Sequence, residues 1–463
     1  MTHADIIIIG AGPAGMTAAR IAAEGGLQVL LLDEQPRAGG QIFRDAAQNG
    51  DRRAWLGQEY RAGAALALAL DHPHIDHRPG ARVWRIEAGP RVVWSNGEAS
   101  QVAAAPHVLI ASGAQERPVP FPGWTLPGVM TAGAAQILMK TSGMLPRRAV
   151  LAGSGPLLYL VAAQMIAAGC PPLALVETQS LPMLLRAAPH LPKALFGAKT
   201  LVKGLGLLAR IRAAGVPRHT GASNFCASED QDGRIAFRFQ AKARAQRIAC
   251  DLLLTHQGVI PSTHISRSAG IDHAWSRAQV AFQPVCDDWG RTGRDGLYVA
   301  GDGAGIGGAD AAAAAGEMAV LDILRNSGRI SEDARDQRSA PARAALFRAR
   351  AIRPFLDAVY SPPAEILSPP DETIVCRCEE LSAGAIRQGI AEGAGGPRQI
   401  KTALRAGMGP CQGRMCEGTI RGILANGDAS EMARIDPPRA RTPVTPVRLG
   451  ELATLKTRLE HSA

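Results

Sequence analysis

At 463 residues the chain exceeds what one hydrophobic core organises, so two to four domains are expected. Hydrophobic residues make up 46%, and the longest apolar runs are broken by Gln164, Asp310, Glu317 or prolines, which excludes the roughly 20-residue stretch a membrane helix needs. The net charge is +10, but Arg and Lys are spread along the chain and aromatics are only 4%, which excludes the basic, aromatic-rich surface of a nucleic-acid binder and leaves a solvated basic surface or attraction to an acidic partner.

The chain opens directly on an apolar strand, with no basic segment and cleavage site ahead of it, so the cytoplasm is the expected location. Ile6 to Ile9 read as a fully buried parallel strand. GAGPAG follows at once, with Gly10, Gly12, Pro13, Ala14 and Gly15, then a small-residue helix, then the strand LQVLLLD ending at Asp33 and followed by Glu34. Gly10 permits the tight turn, Gly12 lets a pyrophosphate approach the backbone, and Gly15 lets helix and strand pack closely. The helix N-terminus offers free N–H groups to the phosphates, and Asp33 is positioned for a ribose diol. A purely structural glycine turn is the bland alternative, but strand, turn, helix, strand and acid stand in the order a dinucleotide requires. GGQ at 39–41 gives a second turn over the cofactor, with Gly40 and Gln41. His72, His74 and His77, near Pro73 and Pro79, read as loop residues rather than metal ligands. HVLIASGA ends another strand at Ala111-Ser112-Gly113.

From Ala149 the pattern repeats. AVLAGSGPLLYL supplies Gly153 and Gly155, with Leu158 at the third glycine position, and LALVE ends in Glu177. An acid there favours a ribose diol and repels a 2′-phosphate, so NAD suits this second site better than NADP. The alternative is a retained fold whose site is empty or holds an adenine nucleotide. Further on, LYVAGD sets Gly301 and Asp302 after an apolar strand, where the aspartate can accept from a ribityl hydroxyl and the next helix can face a flavin ring. Asp302 as a simple helix cap is the alternative. Together these features select FAD for the first site.

The motifs resemble the glutathione reductase and thioredoxin reductase superfamily over about residues 1 to 325. That resemblance implies an α/β fold of two Rossmann-like nucleotide-binding domains, the first split by the second. It assigns 1–115 and 286–330 to FAD and 116–285 to the second domain. It also makes Asp33 the ribose ligand and Asp302 the ribityl ligand. Disulfide reductases of this type carry CxxxxC after the first acid or CxxC in the middle domain; this sequence has neither, so disulfide reduction is not expected.

Residues 331–372 form an Arg-, Ala- and Pro-rich linker. RAALFRARAIRPFLDAVY reads as an amphipathic helix that positions the following domain, and a mobile linker is the alternative. Of eight cysteines, Cys170, Cys226, Cys250 and Cys286 are isolated and read as ordinary buried thiols. Cys376 with Cys378, and Cys411 with Cys416, form CxC, a gap spanning 379–410, and CxxxxC. Two loops at one end of a small helical module, 373–425, would then present four thiolates, a ligand set for a 2Fe–2S cluster whose sulfurs glycine-rich loops can hydrogen-bond. A Cys₄ zinc site is the alternative.

The cysteine pattern is similar to the bacterioferritin-associated ferredoxin-like 2Fe–2S domain. GMGPCQGRMC, DEQPRAGGQI and LAGSGPLL resemble a narrower group, the α subunits of multi-subunit, dye-linked amine dehydrogenases. It includes octopine and nopaline oxidase, hydrogen cyanide synthase, and D-hydroxyproline and L-proline dehydrogenases. The resemblance implies a sister FAD-containing subunit, similar to D-amino-acid oxidases, that takes hydride from a C–N bond, and in some complexes a further small subunit. The chain itself would relay electrons to an acceptor. A self-contained NADH-dependent reductase and a nucleotide-binding scaffold are the rival readings. The Pro- and Arg-rich tail, 426–463, cannot form a core by itself and is expected to be disordered or to lie on a partner.

Overall fold

A computed structural model describes residues 2–460. Ile6–Ile9 sits at the centre of a five-stranded parallel sheet in the order Leu297–Val299, His107–Ile110, Ile6–Ile9, Val29–Asp33, Ile75–Pro79. Its four isoleucines are buried on both faces. Ile6 and Ile8 face the helices Pro13–Glu24 and Ala309–Asn326, and Ile7 and Ile9 face the other side with Trp94 and Val92. Covering both faces is what makes a strand of unbroken apolar residues stable in a parallel sheet.

The second unit repeats this plan. Its parallel sheet runs Val129–Thr131, Leu252–Gln257, Ala149–Ser154, Ala174–Glu177, Arg218–Thr220. In both units the glycine-turn strand is central and the strand ending in the acid lies beside it. Each unit also carries an antiparallel meander, Arg82–Ala104 in the first and Ser223–Cys250 in the second. The chain crosses between units through the antiparallel pair Ala114–Glu116 and Val259–Pro261.

Three segments differ from their sequence reading. His77 lies in the edge strand Ile75–Pro79 rather than in a loop; Pro79, the last residue of an edge strand, leaves no central ladder bond unmade. The helix read from Arg343 begins eleven residues earlier and runs from Glu332 to Val359 through Pro341 and Pro354. Ser331 caps it through its hydroxyl, and the buried Asp322 of the preceding helix draws in Arg335, whose guanidinium also stacks 4.3 Å over Trp289. These contacts anchor the helix well ahead of the prolines, each of which removes one backbone hydrogen bond.

The tail is the third. It folds back along its own chain instead of being disordered. Val444 is buried in the first unit's core, its N–H donates to Trp84 O at 3.1 Å, and Arg82 holds Pro446 O. Helix Leu449–Glu460 closes over the meander, where Thr454 Oγ1 accepts from Ser100 N at 3.0 Å and Glu451 accepts from Ser95. The segment has no core of its own, as its composition demands, but it completes one that the meander leaves open.

Candidate functional site

The first glycine turn is shaped for a pyrophosphate. Gly10 has φ +105°, and a Cβ there would lie 2.5 Å from Ala111 O. A Cβ on Gly15 would lie 1.8 Å from Gly10 O, so helix and turn are in backbone contact. A Cβ on Gly12 would meet only Gly40 Cα at 3.8 Å, so the side from which a phosphate approaches is open. Gly12 caps helix Pro13–Glu24 without any side-chain hydrogen bond, which leaves the first-turn N–H groups for a ligand. Pro13 sits at the helix start, where its missing N–H costs nothing. Ala14 O would lie 2.2 Å from a Cβ on Gly316 of helix Ala309–Asn326, so a glycine that sequence reasoning passed over lets the two helices touch.

Asp33 is buried and accepts from Ala11 N within the turn and from Gln35 N at 2.7 Å. Burial pushes its carboxyl upward, opposed by those two N–H groups. A carboxylate has about four acceptor positions, so two remain for a diol. Glu34 is exposed beside it. Asp302 is half-buried; its Oδ1 accepts from Gly307 N at 2.8 Å and Gly308 N at 2.9 Å, and its Oδ2 has no protein donor among the described residues. It therefore both shapes the loop before helix Ala309–Asn326 and keeps one oxygen for a ligand. Gly40 packs on Gly12, and Gln41 is tied down through its carbonyl by Lys140 Nζ at 2.9 Å. Lys140 is buried, bonds Gln136 Oε1 at 2.8 Å, and is pulled down to about 7 by burial and the charge of Arg44. In sequence Lys140 is one cation in the last turn of an amphipathic helix, with no signal that it reaches another unit's loop.

The second turn repeats the residue spacing but not the backbone: Gly155 has φ +123°, where Gly12 has φ −80°. A Cβ on Gly155 would lie 3.0 Å from the His256 imidazole, so that ring packs against the turn. That ring is held by Glu116 Oε1 at 2.7 Å. Gly153 lies against His256 O, and Leu158 is fully buried in the unit's core. Glu177, expected to face a ribose, is fully buried and already engaged: Tyr159 Oη at 2.6 Å, Gln179 Nε2 at 2.6 Å, and Arg218 through two bonds at 2.8 Å. The Tyr159 hydroxyl is pushed up by burial and by the charge of Glu177, so it donates to the carboxylate. Neither Tyr159 nor Arg218 signals this in sequence, because they meet Glu177 only in the fold.

The cysteines lie on two loops of the small module. Cys376 ends strand Ile374–Cys376 and Cys378 lies in the turn after it; Cys411 lies in a loop and Cys416 caps helix Glu417–Leu424. The thiols come together as pairs, Cys376 with Cys416 and Cys378 with Cys411. Cys376 is lowered to about 5, first by the Cys416 thiol and then, against burial, by backbone N–H groups of Gly407, Glu379 and Cys378. Backbone donors aimed at a thiolate are what an iron–sulfur ligand needs. Among the described residues no three His, Cys, Asp or Glu side chains converge on one point for a single ion. Four neighbouring thiols with backbone donors toward them suit a binuclear cluster, in which each iron takes two sulfurs. Of the isolated cysteines only Cys250 is buried; Cys170, Cys226 and Cys286 are half-buried.

The Cys411–Cys416 loop is fastened to the flavin-type unit. Gln115, two residues beyond Gly113, donates to Arg414 O at 3.0 Å. His264 Nε2 lies 3.2 Å from Gln412 O, and burial lowers the imidazole to about 3, so it is a neutral donor. Arg267 pairs with Glu417 at 3.0 Å, and from the second unit Trp124 donates to Ile374 O, on the strand that carries Cys376, at 2.6 Å. The tail adds Pro443 O and Val444 O, which accept from Gln412 and Arg414.

Two dinucleotide-type units and a four-thiol module make this a flavoprotein carrying an iron–sulfur domain. The chain belongs to the pyridine nucleotide-disulphide oxidoreductase family, which matches residues 4–319, and residues 374–426 match the BFD-like [2Fe-2S] binding domain. It is 43% identical to the opine oxidase A subunit of Rhizobium meliloti, over 97% of this chain and 87% of that one. It is 32% identical to the HcnB subunit of hydrogen cyanide synthase from Pseudomonas protegens, over 89% and 90%. L-proline dehydrogenase from P. horikoshii shares its fold with a TM-score of 0.70 at 20% identity, over 97% of this chain and 79% of that one. Thioredoxin reductase of T. acidophilum does so at 0.52 and 18% identity, over 71% and 99%. The chain is thus an FAD-dependent oxidoreductase with a 2Fe–2S domain, and among its described residues no helix is long and apolar enough to cross a membrane.

Proposed function

We propose that this chain is the electron-transfer subunit of a multi-subunit dehydrogenase that oxidises the CH–NH bond of an opine or imino acid in the cytoplasm. A sister FAD-containing subunit, of the D-amino-acid-oxidase kind, would oxidise the substrate and pass electrons to this one. The observation that carries the reading is the fastening of the Cys411–Cys416 loop to the strand that follows Gly113, in a flavin fold with no redox dithiol of its own. The match to the opine oxidase A subunit over almost the whole chain supports it.

In this reading Gly10, Gly12, Pro13, Ala14 and Gly15 hold the FAD pyrophosphate, and Asp33 and Glu34 take the adenosine ribose. Gly40, Gln41, Gly113, Gly301 and Asp302 border the ribityl chain and flavin ring, while Cys376, Cys378, Cys411 and Cys416 hold the cluster. When bound, FAD takes up an electron pair and the cluster carries single electrons onward. The chain's own part is position and electrostatics: free helix N–H groups for phosphate, a carboxylate for each sugar alcohol, and backbone donors toward the thiolates. No side chain is assigned to proton transfer. Gly153, Gly155 and Glu177 keep the second unit's shape, and with Glu177 clasped and His256 against Gly155 they do not take up NAD.

The test is dye reduction by candidate opines and imino acids, with this chain alone and with a coexpressed sister flavoprotein. Activity only in the presence of both is expected. Substrate-dependent dye reduction by the purified single chain overturns the subunit reading.

A further inference from the structure

A second feature stands apart from the cofactor sites. Leu181, Leu185, Leu195, Phe196, Val202 and Leu205 each expose between 61% and 68% of their surface. They lie on the helical excursion of the second unit between Leu181 and Ala213. Phe347 of helix Glu332–Val359, 54% exposed, joins them with its ring centroid 5.5 Å from that of Phe196. In helix Ala198–Ala213, Leu207, Leu208 and Ile211 turn toward the core while Val202 and Leu205 turn away from it. An apolar patch of this extent on a folded surface marks an interaction site.

The charges that the excursion itself carries are of one sign. No Asp or Glu occurs between Glu177 and Glu229. Arg186, Lys193 and Lys199 are exposed, and among the described residues they form no ion pair, while Lys203 pairs with Glu59. We propose that this face docks on an anionic lipid surface, with the exposed leucines, Val202 and Phe196 entering the headgroup boundary and the cations reaching lipid phosphates.

The composition favours lipid over a protein partner. Protein interfaces concentrate Trp, Tyr, Phe, Met and Arg and are depleted in Lys, and leucine is under-represented among their hot spots, whereas this excursion exposes mainly leucine, with Lys193 and Lys199 and no Trp or Tyr. Helices that lie in a membrane surface instead pair Leu and Phe with Lys and Arg, whose stems extend along the apolar layer while their heads reach the phosphates. Helix Ala198–Ala213 is one-sided, as a helix lying in the surface plane must be.

The experiment sediments the FAD- and iron-loaded chain with phosphatidylcholine vesicles, with and without phosphatidylglycerol, at low and high salt. Binding is expected to need phosphatidylglycerol and to fall as salt rises. Each cation near such a surface is worth roughly fivefold in affinity, so Lys193→Gln with Lys199→Gln should weaken binding by roughly 25-fold. Val202→Asp with Leu205→Asp should abolish it, with flavin and iron absorption unchanged because both positions are exposed and far in sequence from either motif. Equal binding to neutral vesicles, no binding at low salt, or variants that bind like the original chain would each overturn the proposal. So would loss of the sister subunit from the Val202 and Leu205 variant with vesicle binding intact, which would assign the face to a protein partner. None of these readouts depends on substrate oxidation, so the proposed reaction stands or falls separately.

Discussion

Gly12 and Gly10 sit two residues apart and do different work. At Gly10 any Cβ meets Ala111 O, and the backbone is left-handed, so Gly10→Ala should destabilise the fold by about 1–3 kcal/mol. At Gly12 the first side-chain carbon has room and the branches of valine project to the open side. Gly12→Val should therefore fold but purify without yellow colour, and normal flavin content in that variant would contradict the assignment. Cys411 has the same diagnostic value for the other cofactor. It lies outside the buried Cys376–Cys416 pair, so Cys411→Ala should abolish the iron-dependent absorption and acid-labile sulfide while FAD remains. Stoichiometric zinc without iron in the unmutated chain would refute the cluster. The difference between Gly12 and Gly155 is not legible in either motif. It rests on the backbone, at positive φ in Gly155 and not in Gly12, and on His256, about a hundred residues after Gly155, whose ring reaches the turn because strands Ala149–Ser154 and Leu252–Gln257 pair in register.

At the scale of elements, helix Ala132–Thr141 reaches from one unit into the other through Lys140 and Gln41 O. Lys140 titrates near 7 in the fold and near its ordinary value of 10.5 when unfolded. Between those values the unfolded chain binds more protons, so stability rises with pH there, by up to about 1.4 kcal/mol per pH unit from this group. Below about pH 7 the full cost of burying the charge remains. Urea unfolding at pH 7.5 and 9.5 should show that rise in the original chain and a smaller one in Lys140→Met. The tail acts at the same scale. Deleting residues 442–463 removes Val444 from the first core, about 1.5–3 kcal/mol of apolar burial, and both carbonyls that hold Gln412 and Arg414. The truncated chain should melt earlier and lose cluster before FAD. Unchanged melting with intact iron would show that the strap is dispensable.

For the whole molecule, the internal repeat gives two nucleotide folds, and only the first has an open turn and a carboxylate with acceptor positions to spare. Anaerobic addition of NADH should therefore leave the flavin absorption unbleached, whereas electrons supplied by a sister subunit with its substrate should bleach it. Rapid bleaching by NADH would restore the self-contained reductase.

Local order in the sequence determined the α/β class, the repeated glycine turns and the cysteine pairs, because each depends on residues within one strand–turn–helix unit or one loop. The isoleucine strand, GAGPAG and Asp33 are neighbours in chain and in space, so their chemistry is readable before folding. Tertiary structure decided which turn stays open, where Glu177 spends its hydrogen bonds, how Lys140 and Gln115 join separate units, and that the tail lies on its own chain. These are meetings of residues from 18 to 364 positions apart, set by sheet register and helix packing, for which a single sequence carries no local signal.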